Sequence, residues 1–195
     1  MADFVETVGI KDIIVTAGKD PSENFEAIYD QLYREKREQT LSDLDVAVRA
    51  YFNSLKLPQK PTLYDYLLLS MRPKDIVVSF NWDPLLPQAY RRWRHLGAVL
   101  PQMIFLHGNV DIGFDTDKKV FGFLCDEPYP DRKLEPTKLL YPVEHKDYTS
   151  DAFIADRWKE ATAYLQHAYL VTIYRYSAPK TDVEARSLLL KALGG

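Results

Sequence analysis

Apolar positions in the first sixty residues recur at helical spacing. In "SENFEAIYDQLYREKRE", Phe25, Ile28, Tyr29 and Leu32 fall on one face, and Ser22 is the expected N-cap of a helix near 22–38. "LSDLDVAVRAYFNSLKL" repeats the pattern with Leu44, Val48, Tyr51, Phe52 and Leu55, predicting a helix near 42–56. A break bearing two prolines, "LPQKP", separates it from "TLYDYLLLSM". There Thr62 can cap a third helix near 62–71, with Asp65 in its first turn. These stripes read as core-packing faces.

The pattern changes at residue 75. "DIVVSF" reads as a buried strand, "PLLPQAYRRWRHL" as a helix and "QMIFLHG" as a second strand. "KLLYP" at 138–142 reads as a short strand, "SDAFIADRWKEATAYLQH" as a helix, "AYLVTIY" as a strand near 169–174 and "TDVEARSLLLKAL" as a final helix. In that last helix Thr181 and Glu184 stand at capping-box spacing. Continuous apolar strands alternating with helices predict an α/β fold, a parallel sheet covered on both faces. The polar stretch "GFDTDKKVFGFLCDEPYPDRKLEPT" reads as a long connection, flexible or lid-like. The division expected is a helical N-terminal segment over 1–60 and the α/β part over 61–195.

At 195 residues, 46% hydrophobic and 27% charged, the chain can bury a sizeable core. A net charge of −3 argues against nucleic acid as a partner. The basic run "YRRWRHLG" reads as a solvated helical face. One cysteine, Cys125, cannot form an intrachain disulfide or a cysteine-based zinc site, and neither metal nor structural role is expected of it. "MADFVETVGIKDIIV" has acidic residues where a signal peptide would be basic, and no apolar run approaches the ~20 residues of a membrane span. The expectation is a cytoplasmic protein without a membrane partner.

Three of the expected strands end in polar groups: Asn81-Trp82-Asp83, His107-Gly108-Asn109, and Arg175-Tyr176-Ser177 followed by Thr181 and Asp182. In an open α/β sheet, ligands bind beyond the carboxyl ends of the strands, so parallel neighbours would bring these groups to one rim. Each also has a structural reading. Asn81 and Asp83 suit an Asx-turn that leads into the next helix. His107 suits a hydrogen-bonded core position, Gly108 a turn needing positive φ, and Ser177 a cap.

"SFNWDPLL", "FLHGNV" and "YRYSAPKTD" resemble, in order, core motifs of the Sir2-like domain: Asn-x-Asp, then His-Gly, then Gly-x-Ser. The resemblance covers about residues 60–190 and implies a Rossmann-like domain with NAD in its strand-end crevice. By it, Asn81 orients the nicotinamide ribose or an attacking water, and His107 is the general base on a ribose hydroxyl. Asp83 holds the ribose or carboxamide, Ser177 meets the phosphate or adenosine half, and Gly108 and Asp182 complete the NAD-binding set. An imidazole with pKa near ~6.5 can serve as that base at neutral pH, and a carboxamide can hold a hydroxyl as donor and acceptor.

The chain departs from that pattern in three places. The family's glycine-rich phosphate turn has no counterpart before residue 75, "IIVTAGKDPSENF" with Gly18 being the nearest. Arg175 stands where the motif favours glycine. One cysteine excludes the four-cysteine zinc module, so the resemblance is to the zinc-free, NAD-hydrolysing domains often associated with bacterial defence. The expectation is an incomplete domain, beginning inside the fold, that binds NAD or a related nucleotide and cleaves it slowly or not at all. A non-catalytic nucleotide-binding or regulatory module and an α/β protein-interaction domain are the competing readings.

Overall fold

The computed structural model describes residues 2–125, 131–141, 151–176 and 183–193, and they form a mixed α/β protein. In chain order the first elements are α1 (Ala2–Val8), α2 (Lys11–Thr16), α3 (Phe25–Arg34), α4 (Glu38–Ser54) and α5 (Leu63–Ser70). Then come β1 (Ile76–Ser79), α6 (Leu85–His95), β2 (Gln102–Phe105), β3 (Ile112–Asp115), β4 (Val120–Phe123) and β5 (Glu135–Pro136). Helices α7 (Ala152–Gln166) and α8 (Val183–Leu193) complete the described chain. Two compact units result, one of residues 1–51, 140–148 and 158–195, the other of residues 52–139 and 149–157.

The first unit is helical among its described residues. Ile28, Leu32, Leu44 and Val48 are fully buried, as their spacing predicts. The cap of α3 is Asn24, whose side chain accepts from the Glu26 amide at 2.8 Å. Ser22, the expected cap, instead donates its amide and hydroxyl to Asp20. "SEN" holds two good cap residues, and the one nearer the first buried position, Phe25, takes the role. Tyr29 stacks on Tyr141 with ring centroids 4.2 Å apart, and the Tyr141 hydroxyl donates to Asp45 at 3.1 Å. Gly18 is the residue beyond the C-cap of α2. At φ 76° its amide donates to Val15 O, and that of Lys19 donates to Ile14 O, which together close a Schellman motif. The nearest counterpart of a phosphate turn is therefore a helix terminator.

The second unit holds a βαβ arrangement. β1 and β2 run parallel, with Ile76 opposite Gln102 and Ser79 opposite Phe105, and α6 connects them. Helix α5 begins with a capping arrangement: the Thr62 amide and hydroxyl both donate to Asp65 at 2.6 Å. Asp65 is wholly buried and also accepts from the Trp93 indole at 2.8 Å and from Arg92 at 3.0 and 3.2 Å, tying α5 to α6. Burial alone would push its carboxyl up, but the donors from Thr62, Trp93 and Arg92 prevail and hold it below the usual carboxylate range. Arg91 pairs with the buried Asp111. The first half of the basic run, through Trp93, is thus salt-bridged and half-buried rather than solvated, because acidic partners distant in sequence fold against it, while Arg94 and His95 are exposed.

Four other expectations change. The stretch read as a long polar connection contains an antiparallel sheet of order β4-β3-β5. Its β3–β4 hairpin pairs Ile112 with Phe123 and Asp115 with Val120. The Asp115 carboxylate closes that turn by accepting from the Asp117 and Lys118 amides at 3.1 and 3.0 Å, and it takes a further 2.9 Å bond from the Lys133 amide. "KLLYP" is no strand over 138–141, Pro142 lying outside the described residues; Leu139, Leu140 and Tyr141 are buried as irregular chain. "AYLVTIY" forms no strand either, and Tyr169, Leu170 and Tyr174 are strongly exposed. Strand formation depends on a neighbour that pairs and covers the segment, and high β-propensity does not supply one. The parallel sheet consequently has two strands among the described residues, and β1 is half-buried rather than covered on both faces.

Candidate functional site

The register of β1 and β2 places the residues just beyond each strand. Ser79 and Phe105 are partners, so Asn81 and His107 each stand two residues beyond the last pair. The Leu106 amide donates to Ser79 O at 2.9 Å and the Val110 amide to Trp82 O at 3.0 Å, which holds the two strand-end loops side by side. Asn81 and His107 are in this way brought to one rim.

Asn81 is exposed, and its amide N–H donates to Ser79 Oγ at 3.1 Å. Its side chain hydrogen-bonds the Asp83 carboxyl, which also accepts from the Leu85 amide at 3.0 Å, the first residue of α6. Asp83 therefore makes the turn bond that its residue type allows. Burial pushes its carboxyl above the usual range, against the opposing pull of the Leu85 amide and the Asn81 side chain. His107 is 9% exposed, with its ring set edge-on to Phe80 at 5.0 Å and 64°. Trp82 lies edge-on to Phe52 at 6.0 Å.

Gly108 has φ 76°, and a Cβ built there would lie 2.0 Å from Lys138 O. The backbone of residues 138–139 fills the space that a side chain would need, so glycine is required here by chain packing as well as by the turn. Ser177 and Asp182 lie outside the described residues. Arg175, where the sequence motif favours glycine, has φ 52°, in the left-handed region that favours glycine. Among the described residues the third motif brings no strand to the β1–β2 sheet, so two described strand ends form the rim rather than three.

The residue that organises the rim is Asn109, to which sequence reasoning assigned no role. It is fully buried. Its Nδ2 donates to Asp83 O at 2.7 Å and Asn81 O at 3.3 Å, and its Oδ1 accepts from the Asp111 amide at 3.0 Å. Its backbone carbonyl accepts from the Thr137 hydroxyl at 3.1 Å. One carboxamide thus satisfies backbone groups from both loops, a task that needs donor and acceptor on one short side chain. An asparagine directly after His-Gly and before a strand was the available signal.

Among the described residues no group of three or more His, Cys, Asp or Glu side chains could hold a metal ion. Cys125 is exposed, its thiol raised by partial burial and by the neighbouring Asp111. No described helix is long and apolar enough to cross a membrane. No protein-family model matches the chain, and no curated protein matches it. What the fold and the rim define is a mixed α/β protein whose second unit is built on a βαβ arrangement with polar strand ends.

Proposed function

We propose that the second unit is a SIR2-like, Rossmann-type module that binds NAD or a related nucleotide along the β1–β2 rim. Asn81, Asp83 and His107 face the nicotinamide-side ribose in this reading. The observation that carries it is the parallel register, which sets Asn81 and His107 at equivalent positions beyond adjacent strands, where α/β sheets bind ligands. The exposed Asn81 carboxamide suits a ribose hydroxyl or a water, and the edge of His107 is the nearby imidazole.

The same geometry favours binding over turnover. The first amide of α6 is already taken by Asp83, and the N-cap residue Pro84 has no N–H to offer, so this helix start is poorly suited to a pyrophosphate. Gly108 is packed against the 138–139 backbone rather than left open to a phosphate. Phosphate contacts remote from the reacting centre are what would position it, so their weakness lowers turnover as well as affinity. The module accordingly recognises the nucleoside end of its ligand and releases nicotinamide slowly.

Calorimetric titration with NAD and with nicotinamide riboside tests this, alongside chromatographic assay of nicotinamide release. Asn81→Ala and His107→Ala should each weaken binding of both ligands, with circular dichroism showing the fold intact. Undiminished binding in both variants would reduce the rim to a structural turn.

A further inference from the structure

We propose that a separate cavity of about 230 Å3 in the second unit binds a small planar aromatic anion. None of Asn81, Asp83 or His107 lines it. Gln102, Met103 and Phe105 of β2 line it, whereas the rim lies beyond the end of that strand. The two sites are therefore distinct, and this one does not depend on the nucleotide reading of the rim.

The walls of the cavity are aromatic and its charged lining is of one sign. Phe121 and Phe123 come from β4, Tyr90 from α6 and Phe153 from α7. Among the described residues, the charged side chains lining it are Arg94, Arg132 and Arg157, with no carboxylate. Two of these guanidinium groups lie over the rings: Arg157 is 4.9 Å from the Phe121 centroid and 5.5 Å from that of Phe153, and Arg94 is 5.3 Å from that of Phe123. Such stacking holds a flat fork in a defined plane at small entropic cost. A guanidinium carries five N–H donors, so it can serve a protein acceptor through one edge and a ligand oxygen through another. Phe121 is 41% exposed although it sits among these groups, and aromatic rings pair with one another in stacked or edge-to-face arrangements.

Size narrows the ligand. A volume of 230 Å3 falls below the ~300–1,000 Å3 of sites for drug-sized molecules, so one ring with one anionic substituent fits and a dinucleotide does not. The aromatic walls select a planar ring over an aliphatic one, and the arginines select carboxylate or phosphate. Aryl carboxylates and aryl phosphates share this chemistry.

Titration of the full chain with benzoate and phenyl phosphate, followed by ligand-detected NMR, tests the proposal. Benzamide, cyclohexanecarboxylate and inorganic phosphate serve as controls. At least one aryl anion should bind more tightly than all three controls, with affinity falling as salt rises, and the stronger of the two identifies the preferred anionic group. Arg157→Gln should weaken that binding roughly tenfold to a hundredfold, the loss of a charge-assisted hydrogen bond. Phe121→Leu, at a partly exposed position, should weaken the aryl anion while leaving inorganic phosphate unchanged, and it carries the test if Arg157→Gln fails to fold. Failure of both aryl anions to bind more tightly than all three controls would overturn the proposal. So would unchanged affinity in the folded variants.

Discussion

Replacing Asn109 by aspartate changes one atom of the rim and reverses its hydrogen-bonding sense. The wild-type Nδ2 donates to two carbonyls, Asp83 O at 2.7 Å and Asn81 O at 3.3 Å. In Asn109→Asp a carboxylate oxygen faces both carbonyls at a fully buried position, while the bond accepted from the Asp111 amide can persist. Leaving buried polar groups unsatisfied costs roughly 1–3 kcal/mol each, so the variant should lose about 3 kcal/mol at neutral pH. Burial and the two carbonyls raise the new carboxyl above its ordinary value near ~3.9. A carboxyl whose pKa is raised by folding holds more protons in the folded than in the unfolded state as pH climbs through that interval. The deficit against wild type therefore grows as pH rises from about 4, and is smallest below it, where the protonated acid can donate to one carbonyl. Urea unfolding followed by tryptophan fluorescence measures this, since Trp82 and Trp93, two of the three tryptophans, lie in the second unit. Asn109→Ala, compared across the same pH range, should show a similar deficit without the pH dependence. An aspartate variant as stable as wild type at neutral pH, or a deficit independent of pH, would refute the role assigned to the carboxamide.

Gly108→Ala should destabilise the second unit severely. The φ of 76° alone costs an L-residue ~1–2 kcal/mol, and the 2.0 Å approach to Lys138 O requires the 138–139 backbone to move; wild-type stability in thermal unfolding would disprove that contact. Asp65→Ala should cost about 3 kcal/mol through the lost cap and the orphaned Trp93 indole, measurable by the same urea titration. Because the Asp65 carboxyl is held low in the folded state, its contribution is complete above the unfolded value of ~3.9 and is lost as pH falls through the folded value. Asp65→Asn should therefore lose stability less steeply in acid than wild type, and an unchanged acid limb would contradict this assignment.

Much of the helical structure was legible because its determinants are close in sequence. The stripes Ile28–Leu32 and Leu44–Val48 are buried where their period puts them, and Thr62 with Asp65 opens α5 as three-residue spacing predicts. The paired strands β1 and β2 and the helix between them were legible for the same reason. At the rim, Asn81, Asp83 and His107 were identifiable as polar groups at strand ends, but their grouping depended on a register that no local pattern encodes. The β3–β4 hairpin escaped notice because "DTDKK" has a connection's composition, while the apolar residues on either side, Phe114 and Phe121, become neighbours only across the sheet.

Local pattern was enough to place the helices near 62–71 and 84–96 closely, to predict the strands that became β1 and β2, and to mark their polar ends. These follow from interactions spanning a few residues, which any fold must respect. Folding settled the matters that depend on distant partners. Arg91 and Arg92 turn inward because Asp111 and Asp65 meet them there, and "AYLVTIY" stays outside any strand because no other described strand pairs with it. Asn109 became the tie of the rim because folding removed water from its carboxamide and left it the carbonyls of Asn81 and Asp83, twenty-eight and twenty-six residues away, to satisfy. A buried polar group must find its partner wherever the chain provides one, and that location is a property of the fold.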